Sequence, residues 1–201
     1  MNDLVLASAS LRRRDLLASV GIACEVVPSD LVESRREGER PEDHVVRLAI
    51  GKAKEVASRR SVRGRWFLGC DTIVVRDGVF MGKPNCRSEA FDMLKMLSGG
   101  VHYVYTGYAI YDRETDLLRS GSVVTEVLFK TLNDTEINDY LDIGESFDKA
   151  GGYAIQKGAA FMVRQINGSY TNVVGLPLCE VVELLEELEI TYPFSDAFFE
   201  E

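Results

Sequence analysis

Three observations predict an α/β fold with a mixed sheet. A short apolar run, a helix-period segment and a second extended run open the chain. An Asp-Gly hairpin signal lies between two strand-like runs, and two long extended runs follow one another further on. Helices interleaved with neighbouring strands in this way call for one layered α/β architecture rather than a helical bundle or an all-β sandwich.

The elements follow in order. LVLA, residues 4–7, reads as a buried strand, followed by a helix from Leu11 to Val20 that Gly21 stops and by the extended piece ACEVVPS. From Arg40 a second helix begins, with Pro41 at its first position and Glu42 and Asp43 in its first turn, and runs to about Arg60. The stretch ESRREGERPED before and into it, residues 33–43, is the best candidate for a mobile surface loop. WFLGCDTIVV and GVFMGKP flank Arg76-Asp77-Gly78, where Asp-Gly signals a two-residue hairpin. A helix capped by Ser88 runs to Ser98 and ends at Gly99 and Gly100, and VYTGYAIYD and SVVTEVLFKTL follow as antiparallel strands. Asn133 and Glu136 form a capping box for a helix to about Ile143, FMVRQIN is another strand, and Pro177 starts a last amphipathic helix reaching Leu188.

At 201 residues the chain suits one domain with a sizeable core, or two lobes sharing a cleft. Its net charge of −9 sets up a field that repels polyanions, which argues against nonspecific nucleic-acid binding, so any anion site must be local. Cys24, Cys70, Cys86 and Cys179 form no CxxC pair and suggest neither a zinc site nor a disulfide framework; reduced thiols in a cytosol fit best. MNDLVLAS lacks the features of a signal peptide and no stretch is apolar enough to span a membrane, so a cytoplasmic protein without a membrane partner is expected.

Several polar residues stand where the pattern expects apolar ones. Leu16, Leu17 and Val20 define a buried stripe, and helical phase puts Arg13 near its middle, Arg12 on its flank and Arg14 further outward. Three cations at a helix start oppose the dipole by about 0.3–1 kcal/mol each. Arg13 beside free backbone N–H groups, Ser8 and Ser10 is placed to hold a phosphate; the alternative is a solvated patch paired with acids such as Asp15 or Glu25. Lys52 sits on the apolar face formed by Val45, Leu48, Ala49, Ala53 and Val56, where it needs a partner or must snorkel to water. Asp71 ends an apolar strand, and an unpaired carboxylate there is costly. Counting outward from an Asp77-Gly78 hairpin puts Lys83 opposite Thr72, one step from Asp71, so carboxylate and ammonium could share a catalytic site or form a structural ion pair. SFDKAGGYAIQKG, with Lys149 and Gln156, and INGSYTNVVGLP could fold as two loops bordering a pocket. Walker A, GxGxxG and GxSxG motifs are absent, and His44 and His102 read as structural.

Together LASASLRRRDLL, Glu33, the long helix carrying Lys52, GCDTIVV, GKP, DKAGGYAIQ and GSYTNVVGLPL resemble the Maf family of nucleoside triphosphate pyrophosphatases, in order from Leu4 to Leu188. The resemblance implies a two-lobed α/β/α fold with a central twisted mixed sheet, related to the inosine triphosphate pyrophosphatases. It also implies a single domain over residues 1–201 with its active site in a cleft between the lobes. The implied reaction is metal-assisted hydrolysis of a nucleoside triphosphate to the monophosphate and pyrophosphate. Asp71 is then the proton acceptor, and Arg12, Thr72 and Gln156 stand at positions associated with base choice. SxxRR, DT and IQ are similar to the branch acting on dTTP and UTP. A sister branch that prefers 7-methyl-GTP carries a bulky aromatic at the Arg12 position, Gln after the Asp and Glu at the Gln156 position, none of which occurs here. Leu11 and Cys70 depart from the usual family residues.

In the mechanism this implies, Arg13, Lys52 and Lys83, with Ser8, Ser10 and helix N-terminal donors, hold the triphosphate, with Lys149 among the substrate-binding residues. Mg²⁺ or Mn²⁺ bridges it to carboxylates including Asp71 and Glu33, and Asp71 activates the attacking water. Gln156 meets the imide edge of uracil or thymine. The family also suggests a homodimer. The readings set against this one are a nucleotide-binding regulator of cell division and a hydrolase of a modified pyrimidine triphosphate.

Overall fold

Alternation along the first strand divides the protein into layers. In the computed structural model, which describes residues 3–190, β1 (Leu4–Leu6) pairs in parallel with β2 (Glu25–Val26) and with β3 (Trp66–Arg76). Leu4 and Leu6 point to a cluster with Leu17 of α1 (Leu11–Ala18) and with Val181, Leu184 and Leu185 of α6 (Leu178–Glu187). Val5 and Ala7 point the other way, onto Ala53, Val56 and Ala57 of α2 (Pro41–Ser58). A strand with both faces covered needs apolar residues at successive positions, which is why LVLA reads as a continuous run.

The remaining elements are β4 (Val79–Met81), α3 (Arg87–Leu97), β5 (Val101–Asp112), β6 (Leu118–Phe129), α4 (Asp134–Asp142), β7 (Val163–Asn167) and α5 (Tyr170–Val174). The strand order is β2-β1-β3-β5-β6-β7, with β4 paired to β3, making a seven-stranded sheet. β3–β4 and β6–β7 are antiparallel and the β1 pairings parallel, so the sheet is mixed, as the pattern of elements predicts.

The chain forms two compact units. The first holds the chain up to Asp71, Thr106–Ser122 and the part from Gly175 on; the second holds Thr72–Tyr105 and Val123–Val174. In the first, α2 lies directly on the sheet. A Cβ at Gly69 of β3 would run into Ala49 O and Ala53 N, and one at Gly107 of β5 into the Val45 carbonyl, so two glycines let the helix backbone approach both strands. In the second, α3 and α4 pack together, and their buried residues include Ala90, Leu94, Leu97, Ile137, Tyr140 and Leu141.

Several expectations need correction. The hairpin has the predicted register, Arg76 opposite Val79 and Val74 opposite Met81, and Asp77 takes the positive φ of 50° that its turn requires. However, β4 ends at Met81, so the ladder never reaches Lys83; Pro84 has no N–H with which to continue it. Cys86, not Ser88, holds the N-cap position of α3, and the Glu89 carboxylate accepts from the Asn85 N–H at 2.7 Å just before it. β6 starts at Leu118 because the short connection of residues 113–117 brings even the polar Leu-Arg-Ser-Gly stretch into register beside β5. The capping box at Asn133 and Glu136 is present with both of its hydrogen bonds. The segments expected as two loops instead fold into short 3-10 turns, Ala150–Gly152 and Lys157–Met162, and into α5. Among the described residues no helix is long and apolar enough to cross a membrane, and all four cysteines are free.

Candidate active site

The pleat of β3 decides where Asp71 points. Phe67 packs on the α2 side, and Gly69 is where α2 comes closest, so Asp71 shares their face while Cys70 faces the α1 and α6 side. The close approach at Gly69 puts Lys52, adjacent to Ala53, within reach. Its ammonium donates to Asp71 Oδ1 at 2.6 Å, and both side chains are buried. The partner of Asp71 is therefore Lys52 from α2 and not Lys83 from the hairpin.

Lys52 has a second acid. Glu33 Oε1 lies 2.5 Å from its ammonium, and the Glu33 side chain remains 43% exposed. One buried cation thus bridges two carboxylates. A carboxylate held at one oxygen keeps its other oxygen as a proton or metal acceptor.

The segment carrying Glu33 is not a loose loop. Arg47 of α2 grips the Glu39 carboxylate with a two-point fork, Nε to Oε1 at 2.5 Å and Nη2 to Oε2 at 2.7 Å, and its Nη2 also donates to Ser34 O at 2.9 Å. The Arg47 guanidinium holds the Glu39 carboxyl well below the usual carboxylate range. Composition alone reads this acidic and basic stretch as solvated; the contacts that fix it come from Arg47 and His44, on a helix the stretch merely precedes.

At the β1–α1 corner the three arginines divide by helical phase as expected: Arg13 is buried, Arg12 half-buried and Arg14 exposed, the last paired with Asp15 at 2.7 Å. Arg13 acts as a bracket within the first unit. Its Nε donates to Gly175 O at 2.7 Å and its Nη1 to Ser8 Oγ at 2.9 Å and to Cys70 O at 3.0 Å. Ser8 Oγ also accepts from the Ser10 N–H at 3.2 Å. Arg13 therefore fixes the serine corner and the peptide immediately before Asp71. Burial pushes the Cys70 thiol up to about 11, so it is not a nucleophile at neutral pH.

The other expected site residues belong to the second unit, which begins at Thr72. Lys149 is buried, its ammonium donating to Glu145 O and to Asp148 Oδ1, the latter at 2.5 Å. Lys83 is exposed and has no ion-pair partner among the described residues. Gln156 is half-buried at the head of a 3-10 turn, and its amide makes no hydrogen bond among the described residues. Thr72 is half-buried.

The donor set fits a hard divalent cation of the Mg²⁺ or Mn²⁺ kind. Among the described residues no three His, Cys, Asp or Glu side chains cluster as a ready-made metal cage. Glu33 and Asp71, drawn together by Lys52, offer the one or two carboxylates with which such ions are commonly held when substrate phosphates supply further oxygens.

The profile of the Maf-like proteins matches residues 3–188. The chain is 56% identical over 187 residues to the dTTP/UTP pyrophosphatase of Syntrophotalea carbinolica, covering 93% of this chain and 85% of that protein. It is 58% identical over 188 residues to the dTTP/UTP pyrophosphatase of Geobacter sp. strain M21, covering 92% of this chain and 94% of that one. Among solved structures it is similar to a nucleoside-triphosphatase / dITP/XTP pyrophosphatase from Mycobacterium abscessus, with a TM-score of 0.42 and 14% identity over 92% of this chain and 96% of that chain. With the profile spanning β1 to the end of α6, and with relatives more than half identical along most of their length, the chain belongs to the Maf family.

Proposed function

We propose that this protein is a nucleoside triphosphate pyrophosphatase that hydrolyses dTTP and UTP to the monophosphate and pyrophosphate. The observation that carries the reading is the Asp71–Lys52–Glu33 cluster, its aspartate and ammonium buried and its glutamate open to solvent, in a chain more than half identical to proteins named dTTP/UTP pyrophosphatases.

In this reading Asp71 accepts a proton from the water that attacks the α-phosphorus, and pyrophosphate departs. Lys52 holds the Asp71 carboxylate in one orientation and meets charge developing on the phosphoryl oxygens. Ser8, Ser10 and Arg12 bind the triphosphate from the corner that Arg13 braces, and Lys83 and Lys149 add positive charge against it. Glu33 and Asp71 would hold Mg²⁺ or Mn²⁺, which when bound neutralises phosphate charge and assists departure of pyrophosphate. Gln156 reads the imide edge of uracil or thymine, its amide oxygen accepting from the ring N–H and its NH₂ donating to a ring carbonyl; the uncommitted amide supports this. Thr72 and Arg12 assist in base choice. The working compartment is the cytoplasm and the working form a homodimer.

Pyrophosphate release measured with dTTP, UTP, CTP, GTP and 7-methyl-GTP, with and without Mn²⁺, tests the proposal. Turnover of dTTP and UTP above the others is expected. Binding of these nucleotides without release would make the protein a regulator instead, and preference for 7-methyl-GTP would overturn the substrate assignment.

A further inference from the structure

We propose that Arg47 and Glu39 are positioning residues that clamp residues 33–39 to α2 and so hold Glu33 at Lys52 and Asp71. The inference rests on the reading of Glu33, Lys52 and Asp71 as the reacting cluster.

Apolar burial does little to hold the segment. Leu31 packs against Gly51 of α2, but Val32 is 80% exposed and every residue from 32 to 38 lies on the surface. With no apolar anchor over that stretch, burial cannot fix where Glu33 sits. Polar contacts act instead, and several of them converge on one carboxylate. Glu39 Oε2 accepts from Arg47 Nη2, from the Arg36 N–H at 3.1 Å and from His44 Nδ1 at 2.9 Å, while Oε1 takes Arg47 Nε. The Glu39 N–H donates to Arg36 O at 3.2 Å, so the turn closes through its backbone and its side chain together.

Arg47 works at both ends of the segment. The nitrogen that grips Glu39 also donates to the carbonyl of Ser34, the residue directly after Glu33. Arg47 and Lys52 are carried by the same helix, so α2 holds the segment at Ser34 and Glu39 and presents the ammonium that Glu33 meets. The fork needs the planar guanidinium. A lysine at this position keeps the charge but cannot satisfy both carboxylate oxygens and the Ser34 carbonyl in the same geometry.

The test uses Arg47→Lys and Glu39→Gln in the full chain. Trypsin cuts after Arg35 and Arg36, inside the clamped segment, and reports its fastening without any need for activity. Each variant is expected to be cleaved there about tenfold faster than the parent, with unchanged circular dichroism, and to release pyrophosphate from dTTP about tenfold more slowly. In a Glu33→Gln background, Arg47→Lys should cost nothing further, because it acts through Glu33. Parent-like cleavage in both variants overturns the clamp. Costs that multiply in the double variant, or parent-like turnover by Glu33→Gln, overturn its action on Glu33. A parent protein that releases no pyrophosphate defeats the functional reading separately, and the trypsin arm still decides whether the segment is clamped.

Discussion

Each unit of the molecule buries a polar cluster, and the two are built on opposite plans. In the second unit His102 Nε2 meets the Tyr153 hydroxyl at 2.7 Å, and Phe129 stands edge-on to both rings, each centroid 4.8 Å away. Burial pushes His102 down to about 3 and Tyr153 above the usual tyrosine range, so both are neutral across the working pH range. In the first unit one ammonium is shared by two carboxylates, and one of these is partly open to solvent. The neutral cluster carries no net charge and lies wholly inside its unit, with His102 Nδ1 buried and without a hydrogen-bond partner among the described residues. The charged one has a carboxylate that solvent can reach, so what binds there can alter its energy. Burial of a polar group is therefore a poor marker of chemistry on its own; a buried ion pair with a solvent-reachable carboxylate beside it is a better one.

The largest expected effect follows from removing that charge. Asp71→Asn keeps the volume and a hydrogen-bonding oxygen but cannot take a proton, and should lower pyrophosphate release from dTTP by about 10³-fold with the fold intact by circular dichroism. Parent-like turnover would make the charged cluster as structural as the His102 cluster. Lys52→Met leaves Asp71 without its buried partner and should cost about 3 kcal/mol in urea unfolding. Part of that loss should return in the Lys52→Met, Asp71→Asn double variant, since no uncompensated charge then remains at the strand end.

Gln156→Glu replaces a donor-acceptor amide by an acceptor-only carboxylate and should reduce dTTP and UTP turnover by about tenfold relative to purine triphosphates. An unchanged ranking across a nucleotide panel would remove Gln156 from base choice. A further effect, absent at neutral pH, concerns the neutral cluster. The native pKa of His102, about 3, lies below the unfolded value of about 6.5, so the unfolded chain binds the extra proton first. Stability should fall as the pH drops from about 6.5 towards 3, by at most about 1.4 kcal/mol per pH unit for one proton. His102→Phe should be less stable at pH 7 yet flatter in this window, as checked by urea midpoints over pH 4–7.

What the sequence makes legible follows from local periodicity. Helical phase separates Arg13, Arg12 and Arg14 by burial, the Asp-Gly pair sets the β3–β4 register, and Asn133 with Glu136 announces its capping box. Lys52 and Asp71 stand out individually as charged residues in apolar patterns. Their pairing depends on how closely α2 approaches β3, and the signal for that is the placement of Gly69 and Ala49 rather than any property of the two charged residues. Pleat parity with Phe67 and Gly69 would have turned Asp71 towards α2 and away from the hairpin count that pointed to Lys83. The 33–43 stretch looks mobile because its composition is charged, whereas its fastening comes from the Arg47 fork, and forks between loop and helix leave no periodic trace. Helical phase accounts for the burial of Arg13, but its contacts with Gly175 and Cys70 join distant parts of the chain and are invisible until it folds.

The proposed reaction requires water to attack the α-phosphorus beside Asp71. Hydrolysis of dTTP in water enriched in heavy oxygen, followed by mass spectrometry of both products, tests this directly. Label in dTMP, with unlabelled pyrophosphate and almost no product from the Asp71→Asn variant, is the predicted result. Label in pyrophosphate, or release of dTDP and inorganic phosphate, would contradict it.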